Sequence, residues 1–267
     1  MNIIEAHGVT KTYRCGGFFS RAKRVPVLKG VNLSVAEGEC VGLVGRSGSG
    51  KSTLGRIMLG LEAPTDGEVR ILGRPTVVGN RVHIDRDQRR ALQVVFQDAV
   101  GSLNPRLTAK NIIAEPLHNF ERLRGRALDE RVADLLIKVG LRRDDATKHP
   151  SQFSGGQLQR ISIARALAAK PRCIILDEAV SSQDMLVQAR ILDLLEDLRS
   201  EEGVAYLFIT HDLRLVKRFC DHAVAMENGV LVAFDHRHDR QAQMTGSLGQ
   251  LAAAMLPAMP PAQCMTG

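Results

Sequence analysis

The sequence contains no tryptophan and two tyrosines, and aromatic residues make up only 4% of it. No apolar run approaches the ~18 residues that a membrane-spanning helix requires. The first residues include an acid, Glu5, and no apolar stretch of the kind a signal peptide needs. We therefore expect a cytosolic globular protein, with any membrane contact made through a partner.

The cysteines are few and scattered, and no two form a C-x-x-C pair. This spacing favours neither a disulfide framework nor a zinc site. Cys40 and Cys173 lie in apolar surroundings, where a thiol behaves as a small hydrophobic group. The five positions are Cys15, Cys40, Cys173, Cys220 and Cys264.

The formal net charge of +7 has two explanations, attraction to nucleic acid or an anionic membrane leaflet, or a dispersed basic surface. Arginine is spread along the whole chain, and the densest basic cluster, Arg21 to Arg24, carries only three charges. A dispersed surface without a basic stripe fits this pattern better.

Short apolar runs alternate with amphipathic stretches, a pattern that predicts an α/β architecture. Continuous apolar segments are typical of parallel strands covered on both faces, and we predict strands at 40–44, 173–176 and 204–209. Glu227-Asn228-Gly229-Val230 predicts a hairpin turn. The stretch from about Ala99 to Arg160 has helix spacing and no strand signal, so we predict an inserted helical subdomain.

An eight-residue segment fits the phosphate-loop pattern G-x-x-x-x-G-K-[ST], directly after the predicted strand 40–44. The glycines let backbone N–H groups surround phosphate oxygens, and the helix that follows adds its dipole. Lys51 would bind the β- and γ-phosphates, and Ser52 would offer a hydroxyl to Mg²⁺. An apolar helical face is predicted from Leu54 to Leu61. The candidate ATP-binding residues here are Gly45, Arg46, Ser47, Gly48, Ser49, Gly50, Lys51, Ser52 and Thr53.

Three further predicted strand ends carry polar side chains suited to catalysis or metal binding. Asp177 and Glu178 follow an apolar strand, where Asp177 can orient Mg²⁺ waters and Glu178 can polarise an attacking water. Gln97 and His211 each follow another apolar run. Gln97 can reach a metal or a water, and His211 can donate to a γ-phosphate oxygen. Taken singly, each of these side chains has an ordinary structural explanation at a solvated sheet edge.

A Ser-Gly-Gly-Gln turn opens an amphipathic helix and lies 20 residues before Asp177. Its hydroxyl and free N–H groups make it a second candidate anion site, although a plain helix N-cap is the simpler explanation. The residues are Ser154, Gly155, Gly156 and Gln157.

In order and spacing, these elements resemble the ATP-binding subunits of ABC transporters over essentially residues 3–234. The resemblance implies a P-loop NTPase: a RecA-like core with a mainly parallel sheet, an antiparallel β subdomain and an inserted helical subdomain. It places the core at 1–97 and 161–234, the helical subdomain at 98–160 and a tail at 235–267. It implies that Tyr13 stacks on adenine and that Asp184 couples two nucleotide sites.

The same resemblance implies ATP and Mg²⁺ as cofactors, with Ser52, Gln97 and Asp177 around the metal. It implies that Ser154 and its turn face the ATP of a second, paralogous ATP-binding subunit. Two permease subunits and, indirectly, a binding protein complete the expected complex. The chain would then lie at the cytoplasmic face of the inner membrane as a peripheral subunit, touching the membrane only through the permeases and binding no nucleic acid.

Within this family, the segment DAVGSLNPR at 98–106 resembles the peptide and nickel importer branch, and several other segments resemble the second ATPase subunit of nickel importers. Those segments are Gly16-Gly17-Phe18, residues 178–181, residues 208–220 and residues 256–260. Two departures stand out: Phe153 replaces the usual leucine before the Ser-Gly-Gly-Gln turn, and residues 179–184 differ from the common Thr-Ser-Ala-Leu-Asp.

Other functions remain as alternatives. An ATPase of a peptide or other metal-chelate importer would carry the same motifs. A soluble relative acting on DNA or the ribosome is disfavoured, because long coiled-coil or zinc insertions and a second cassette are missing. A subunit that only completes its partner's site is disfavoured by Glu178 and His211. His236 and His238 are two residues apart in the tail, and we interpret them as a surface pair and not as a metal site.

Overall fold

The computed structural model describes residues 1–15, 23–78, 81–180 and 184–234. Several features predicted from the sequence therefore lie outside the described residues. They are Gly16-Gly17-Phe18, residues 181–183 of the segment 179–184, and the tail 235–267 with His236 and His238.

A six-stranded sheet forms the centre of the molecule, in the order β12-β11-β3-β10-β9-β8. The last five members of this order, from β11 to β8, run parallel, and β12 pairs antiparallel with β11. The three strands predicted from continuous apolar runs are confirmed, and they lie side by side in the order β3-β10-β9. They are apolar throughout because the sheet is covered on both faces there. The bounds are β3 Cys40–Val44, β8 Leu92–Phe96, β9 Cys173–Asp177, β10 Ala205–Thr210, β11 His222–Glu227 and β12 Val230–Phe234.

The hairpin between β11 and β12 turns at Asn228 and Gly229, as predicted. Both residues have positive φ, 49° and 82°. Two successive residues of this kind match the right-handed twist of a tight hairpin, and Asn-Gly adopts them most readily.

A second sheet of four antiparallel strands, in the order β2-β1-β4-β5, packs beside the first. Strands β6 and β7 form a separate two-stranded ribbon. The bounds are β1 Asn2–Cys15, β2 Lys23–Ala36, β4 Asp66–Ile71, β5 Arg74–Pro75, β6 Val77–Val78 and β7 Arg81–Val82.

Among the described residues, four helices connect the strands outside the helical insertion. They are α1 Lys51–Met58, α2 Arg86–Ala91, α7 Met185–Glu202 and α8 Leu213–Phe219. Leu61 does not extend the buried face of α1 as predicted, since it is 64% exposed. Gly60 has φ +64°, a left-handed conformation that ends the helix before Leu61 can join it.

Residues 98–172 contain helices and turns without a strand, which agrees with the predicted helical stretch. The α-helices are α3 Ala99–Ser102, α4 Ala109–Pro116, α5 Gly125–Lys138 and α6 Gly155–Ala168, with a π-helical turn at Leu117–Glu121 and 3₁₀ turns at Arg143–Thr147 and Pro150–Gln152. Helix α6 runs through position 160, where we placed the end of the helical subdomain. The division at 97, 160 and 234 stays a prediction.

Two apolar cores lie on opposite faces of the six-stranded sheet. One contains the buried side chains of the helical insertion together with Tyr206 and Phe208 of β10. The other joins the opposite sheet face to α1 and the four-stranded sheet. Alternate residues of β10 thus serve both cores, and this burial holds the carboxyl ends of the parallel strands in fixed positions.

Candidate functional site

The ends of four parallel strands meet at one edge of the six-stranded sheet. The ladder pairs Phe96 with Asp177, Asp177 with Ile209, and Thr210 with Val44. The residues that follow these strand ends are Gln97, Glu178, His211 and Gly45. Four segments far apart in sequence are therefore adjacent at the carboxyl edge, where α/β proteins bind ligands.

The glycine-rich loop 45–50 joins β3 to α1 and curls into a small cavity. Gly48 and Gly50 have positive φ, 80° and 114°, which a residue with a side chain rarely adopts. Lys51 is 5% exposed, and its ammonium donates to the carbonyl oxygens of Gly45 at 2.7 Å and Arg46 at 3.1 Å. The cavity has a volume of about 150 Å³ and is lined by Val27, Ser47, Gly48, Gly50, Lys51, Ser52, Thr53 and Glu178.

Two further loop residues differ in exposure. Arg46 is exposed and Ser49 is buried at 8% exposure. The hydroxyl of Ser49 lies 2.9 Å from the position that a Cβ on Gly45 would take. Ser49 therefore packs inside the loop, whereas Ser47 and Ser52 face the cavity.

The β11–β12 hairpin supports the loop from beneath, a contact that the sequence does not reveal. The Gly229 N–H donates to the Ser49 carbonyl at 3.2 Å, and the Lys29 N–H donates to the Gly229 carbonyl at 2.9 Å. A Cβ on Gly45 would lie 2.5 Å from the Met226 carbonyl oxygen. The sequence predicts the asparagine–glycine turn, but the position of this turn beneath the phosphate loop arises from long-range packing.

Charged groups of both signs surround the cavity. Burial lowers the pKa of the Lys51 ammonium, although Glu178 and Asp177 act in the opposite direction. Burial, reinforced by the neighbouring Glu178, raises the pKa of the Asp177 carboxyl, although Lys51 and Arg56 oppose this rise. The site thus holds one buried cation beside two carboxyls, an arrangement suited to a ligand that brings both phosphates and a divalent cation.

Glu178 lies between the loop and His211. Its backbone has φ +49° and its N–H donates to the Ile209 carbonyl at 2.9 Å, so the residue turns the chain away from the sheet. Its carboxylate is 3.5 Å from His211 Nδ1, and the His211 side chain is 48% exposed. Glu178 lines the cavity, and the histidine stands next to it at the solvent side.

The donors predicted for Mg²⁺ fit a site of this kind. Ser52 and Gln97 are exposed. Asp177 is the strand partner of Phe96 in the β8–β9 ladder, and Gln97 is the next residue after Phe96. Mg²⁺ takes one or two carboxylates together with substrate phosphates and waters. Among the residues that the structure describes, no group of three or more His, Cys, Asp or Glu side chains could hold a metal without such a ligand.

Tyr13 lies in β1 opposite Val25 of β2, two residues before the cavity-lining Val27. Its side chain is partly exposed. The phenol donates to Glu62 Oε2 at 2.9 Å, and the Lys11 ammonium lies 5.2 Å from the ring centroid. Tyr13 is therefore at the side of the phosphate cavity formed by the four-stranded sheet.

The Ser-Gly-Gly-Gln turn forms the N-terminus of α6. Ser154 Oγ accepts from the Gln157 N–H at 3.3 Å, and Gln157 Oε1 accepts from the Ser154 N–H at 2.9 Å. This capping box agrees with the structural explanation and leaves the Ser154 hydroxyl proton available to a ligand. Gly155 is exposed and Gly156 partly exposed. Of the residues that the structure describes, none from this turn lines the cavity at Lys51.

Two other predicted positions have clear local roles. Phe153 is partly buried against the larger core, so an aromatic ring replaces leucine without loss of apolar contact. Asp184 is exposed and caps α7, since its Oδ1 accepts from the N–H groups of Leu186 and Val187, both at 3.0 Å. Its neighbours 181–183 lie outside the described residues.

In the part of the chain that the structure describes, no helix combines the length and the apolar character needed to span a bilayer.

Comparison with known proteins gives consistent results. The family model described as ABC transporter matches residues 28–181. The chain is 44% identical to the nickel import ATP-binding protein NikE of Rhodospirillum rubrum, over 97% of this chain and 94% of the relative. It is 41% identical to the protein of the same name from Escherichia coli K12, over 97% of each.

Solved structures show the same fold. A dimeric ATP-binding cassette in a post-hydrolysis state, bound to ADP and Pi, superposes with a TM-score of 0.75 at 34% identity, covering 88% of this chain and 99% of that one. A dimeric bacterial ABC transporter cassette gives 0.74 at 34% identity, over 88% of this chain and 99% of that one. The predicted P-loop fold with an antiparallel subdomain is confirmed, and the chain belongs to the ATP-binding cassettes of the ABC transporter family.

Proposed function

We propose that this chain is the ATP-hydrolysing subunit of an ABC importer that energises nickel uptake across the inner membrane. The observation that carries the proposal is the meeting of the Lys51 loop and Glu178 around one cavity, with His211 3.5 Å from the Glu178 carboxylate. Nickel as cargo is supported by relatives of 41% and 44% identity that are named nickel import ATP-binding proteins. An importer of peptides or other metal chelates is the second candidate.

The residues act on ATP as follows. The N–H groups of the loop and the Lys51 ammonium bind the β- and γ-phosphates, and Lys51 exchanges its carbonyl partners for phosphate oxygens. Ser52, Asp177 and Gln97 would hold Mg²⁺, which would neutralise charge on the phosphates. Arg46 and Thr53 flank these contacts, and Tyr13 stacks on adenine.

Hydrolysis depends on Glu178 and His211, whose carboxylate and Nδ1 lie 3.5 Å apart. Glu178 accepts a hydrogen bond from the attacking water and draws its proton as the oxygen approaches phosphorus. His211 donates to a γ-phosphate oxygen and stabilises the charge that develops there. Gln97 contacts the metal or the attacking water, and the products are ADP and phosphate.

A second subunit completes the site. The exposed turn Ser154–Gln157 has a free hydroxyl proton and helix N–H groups, and it serves the ATP held by the partner subunit. ATP then favours the closed pair, because only that state makes both sets of contacts. We infer a paralogous partner, and Asp184 at the start of α7 couples the two nucleotide sites.

A groove of about 320 Å³ lies between β8 and the helical insertion and suits the permease. Its lining combines apolar side chains with charges of both signs, as a docking site for an amphipathic helix requires. We infer that each of two permease subunits places a cytoplasmic helix in such a groove, with a binding protein outside the membrane. The lining residues are Arg89, Gln93, Val94, Glu115, Pro116, Asn119, Phe120, Arg165 and Ala166.

In the proposed complex, the chain is a peripheral subunit at the cytoplasmic face of the inner membrane and binds no nucleic acid. A soluble relative acting on DNA or the ribosome makes a different prediction. Its affinity for nucleic acid would fall steeply with salt concentration.

The substitution Glu178→Gln tests the assignment in the assembled transporter. Removing the general base should lower ATP turnover by at least about 100-fold, while the dissociation constant for Mg·ATP stays within about threefold of the wild-type value. Glu196→Gln, at an exposed position on α7, is the matched control and should hydrolyse ATP normally. Near-normal hydrolysis by Glu178→Gln would refute the role given to Glu178.

The cargo is tested separately by uptake in cells from which the gene is deleted. Loss of radioactive nickel uptake with normal peptide uptake is the expected result. Normal nickel uptake together with loss of peptide uptake would assign the chain to the second candidate.

A further inference from the structure

The loop 61–65 connects the phosphate-binding helix α1 to the strand that carries Tyr13. It follows the end of α1 and lies along β1. The Thr65 N–H donates to the Thr10 carbonyl at 2.8 Å, and the Thr12 N–H donates to Thr65 Oγ1 at 2.9 Å. The loop is therefore attached to β1 over the residues that lead to Tyr13.

Glu62 is the centre of the side-chain contacts in this loop. Its Oε2 accepts from the Tyr13 phenol at 2.9 Å, and its Oε1 lies 2.8 Å from the Lys11 ammonium. Lys11 also donates to the Ala63 carbonyl at 2.6 Å. The Lys11 and Glu62 side chains are only 14% and 25% exposed, so these contacts are protected from full solvent screening.

The charge state of Glu62 agrees with this geometry. Partial burial alone would raise the pKa of its carboxyl, but hydrogen bonds from Lys11 and Tyr13 outweigh burial and lower it. Glu62 is therefore a carboxylate at neutral pH and accepts from both partners as a charged acceptor.

Together these contacts fix the aromatic ring at its edge and on one face. Glu62 holds the hydroxyl edge of Tyr13, and the Lys11 ammonium lies 5.2 Å from the centroid, within the range of a cation–π contact. A planar base can therefore stack only on the opposite face. Without Glu62, the ring would lose its partner at the hydroxyl edge, and Lys11 would keep only its hydrogen bond to the Ala63 carbonyl oxygen.

We propose that Glu62, with Lys11, is a positioning residue that orients Tyr13 for the purine of the nucleotide. The inference rests on the proposed function, in which Tyr13 stacks on adenine. Glu62 follows α1, so it also fixes the base-stacking ring relative to the helix that begins at Lys51. Glu62 thereby determines how much the base adds to the affinity supplied by the phosphates.

Two ligands separate this role from a structural one: Mg·ATP and Mg·tripolyphosphate, which has the phosphates without the base. In Glu62→Ala the dissociation constant for Mg·ATP should rise by about fivefold, whereas that for Mg·tripolyphosphate should not change. The KM for ATP should rise with kcat unchanged in the assembled transporter.

The variants form a graded set. Tyr13→Phe keeps the ring and removes the bond to Glu62, so it should weaken Mg·ATP binding as Glu62→Ala does, and the double variant should be no weaker than either alone. Glu62→Gln keeps an acceptor for the phenol and should lie between wild type and Glu62→Ala. The control Glu68→Ala changes a partly exposed glutamate on β4 that pairs with Arg70, and it should bind both ligands normally.

An unchanged affinity of Glu62→Ala for Mg·ATP would overturn the inference, and so would an equal loss for both ligands, which would mean that the substitution disturbs the phosphate loop. If the wild-type protein fails to bind Mg·ATP, the proposed function itself is wrong, a result distinct from normal wild-type binding that Glu62 does not affect.

Discussion

The hairpin under the phosphate loop leads to a sharp prediction for Gly229→Ala. Gly229 has φ +82°, and a Cβ there would lie 2.2 Å from the Val27 carbonyl oxygen and 3.3 Å from the Leu28 Cα. Both contacts are to backbone, which cannot move aside as the end of a flexible side chain can. The hairpin must therefore shift, and with it the hydrogen bond from Gly229 to Ser49 of the loop.

The expected cost has two parts. The left-handed conformation costs about 1–2 kcal/mol for a residue with a Cβ. The clash adds about 1–3 kcal/mol, as in other overpacked sites. Gly38→Ala isolates the first part, because Gly38 has φ +68° and nothing within 4 Å of an added Cβ.

Urea denaturation and Mg·ATP titration of the two variants provide the assay. We expect Gly38→Ala to lose about 1–2 kcal/mol of unfolding free energy and to keep its nucleotide affinity. Gly229→Ala should lose more stability and bind Mg·ATP at least about tenfold more weakly, a change of about 1.4 kcal/mol. Equal stability losses with normal affinity in both variants would refute the idea that the hairpin supports the loop.

Three further predictions concern stability and thiol reactivity. Burial would raise the pKa of the Asp145 carboxyl, but Lys148 and the Arg142 N–H lower it, so its stabilisation exists above the unfolded pKa of about 4 and is lost as pH falls through the folded value. Asp145→Asn should therefore lower the urea midpoint near pH 7 but much less near pH 3. Tyr206→Phe should cost about 1 kcal/mol in urea denaturation, because the buried phenol donates to the Leu195 carbonyl at 3.1 Å. Burial raises the pKa of Cys173 to about 12, so Ellman's reagent should modify it only after unfolding.

Each outcome has a contrary result. A midpoint for Asp145→Asn that differs from wild type equally at both pH values would contradict the ionic role of Asp145. A Tyr206→Phe variant as stable as wild type would show that its hydroxyl contributes nothing. Rapid modification of Cys173 in the folded protein would show that the β9 core opens readily.

Much of the central sheet could be predicted because its signals are local. The apolar runs 40–44, 173–176 and 204–209 match β3, β9 and β10 to within a residue at each end. Asn228-Gly229 marks its turn through conformational preference alone. Parallel strands that end together also bring Gln97, Glu178 and His211 to one edge, so the grouping of these residues follows from the topology.

The remaining features depend on contacts between distant segments. Leu61 continues the apolar spacing of α1, yet the helix ends at Gly60, which has a left-handed backbone. Only glycine fits there, because a Cβ would lie 1.8 Å from the Ile84 side chain. Gly229 reaches the phosphate loop, and Glu62 reaches Tyr13, across 180 and 49 positions of sequence. No periodicity or spacing in either segment encodes such a partner.

The account depends most on ATP acting as a bridge between the Lys51 loop of one subunit and the Ser154 turn of another. The direct measurement is sedimentation of the Glu178→Gln chain with its companion ATP-binding subunit, with and without Mg·ATP. We predict that Mg·ATP drives the pair together and that Lys51→Ala, combined with Glu178→Gln, abolishes the effect. An association that Mg·ATP leaves unchanged, in a pair that demonstrably binds the nucleotide, would contradict the account.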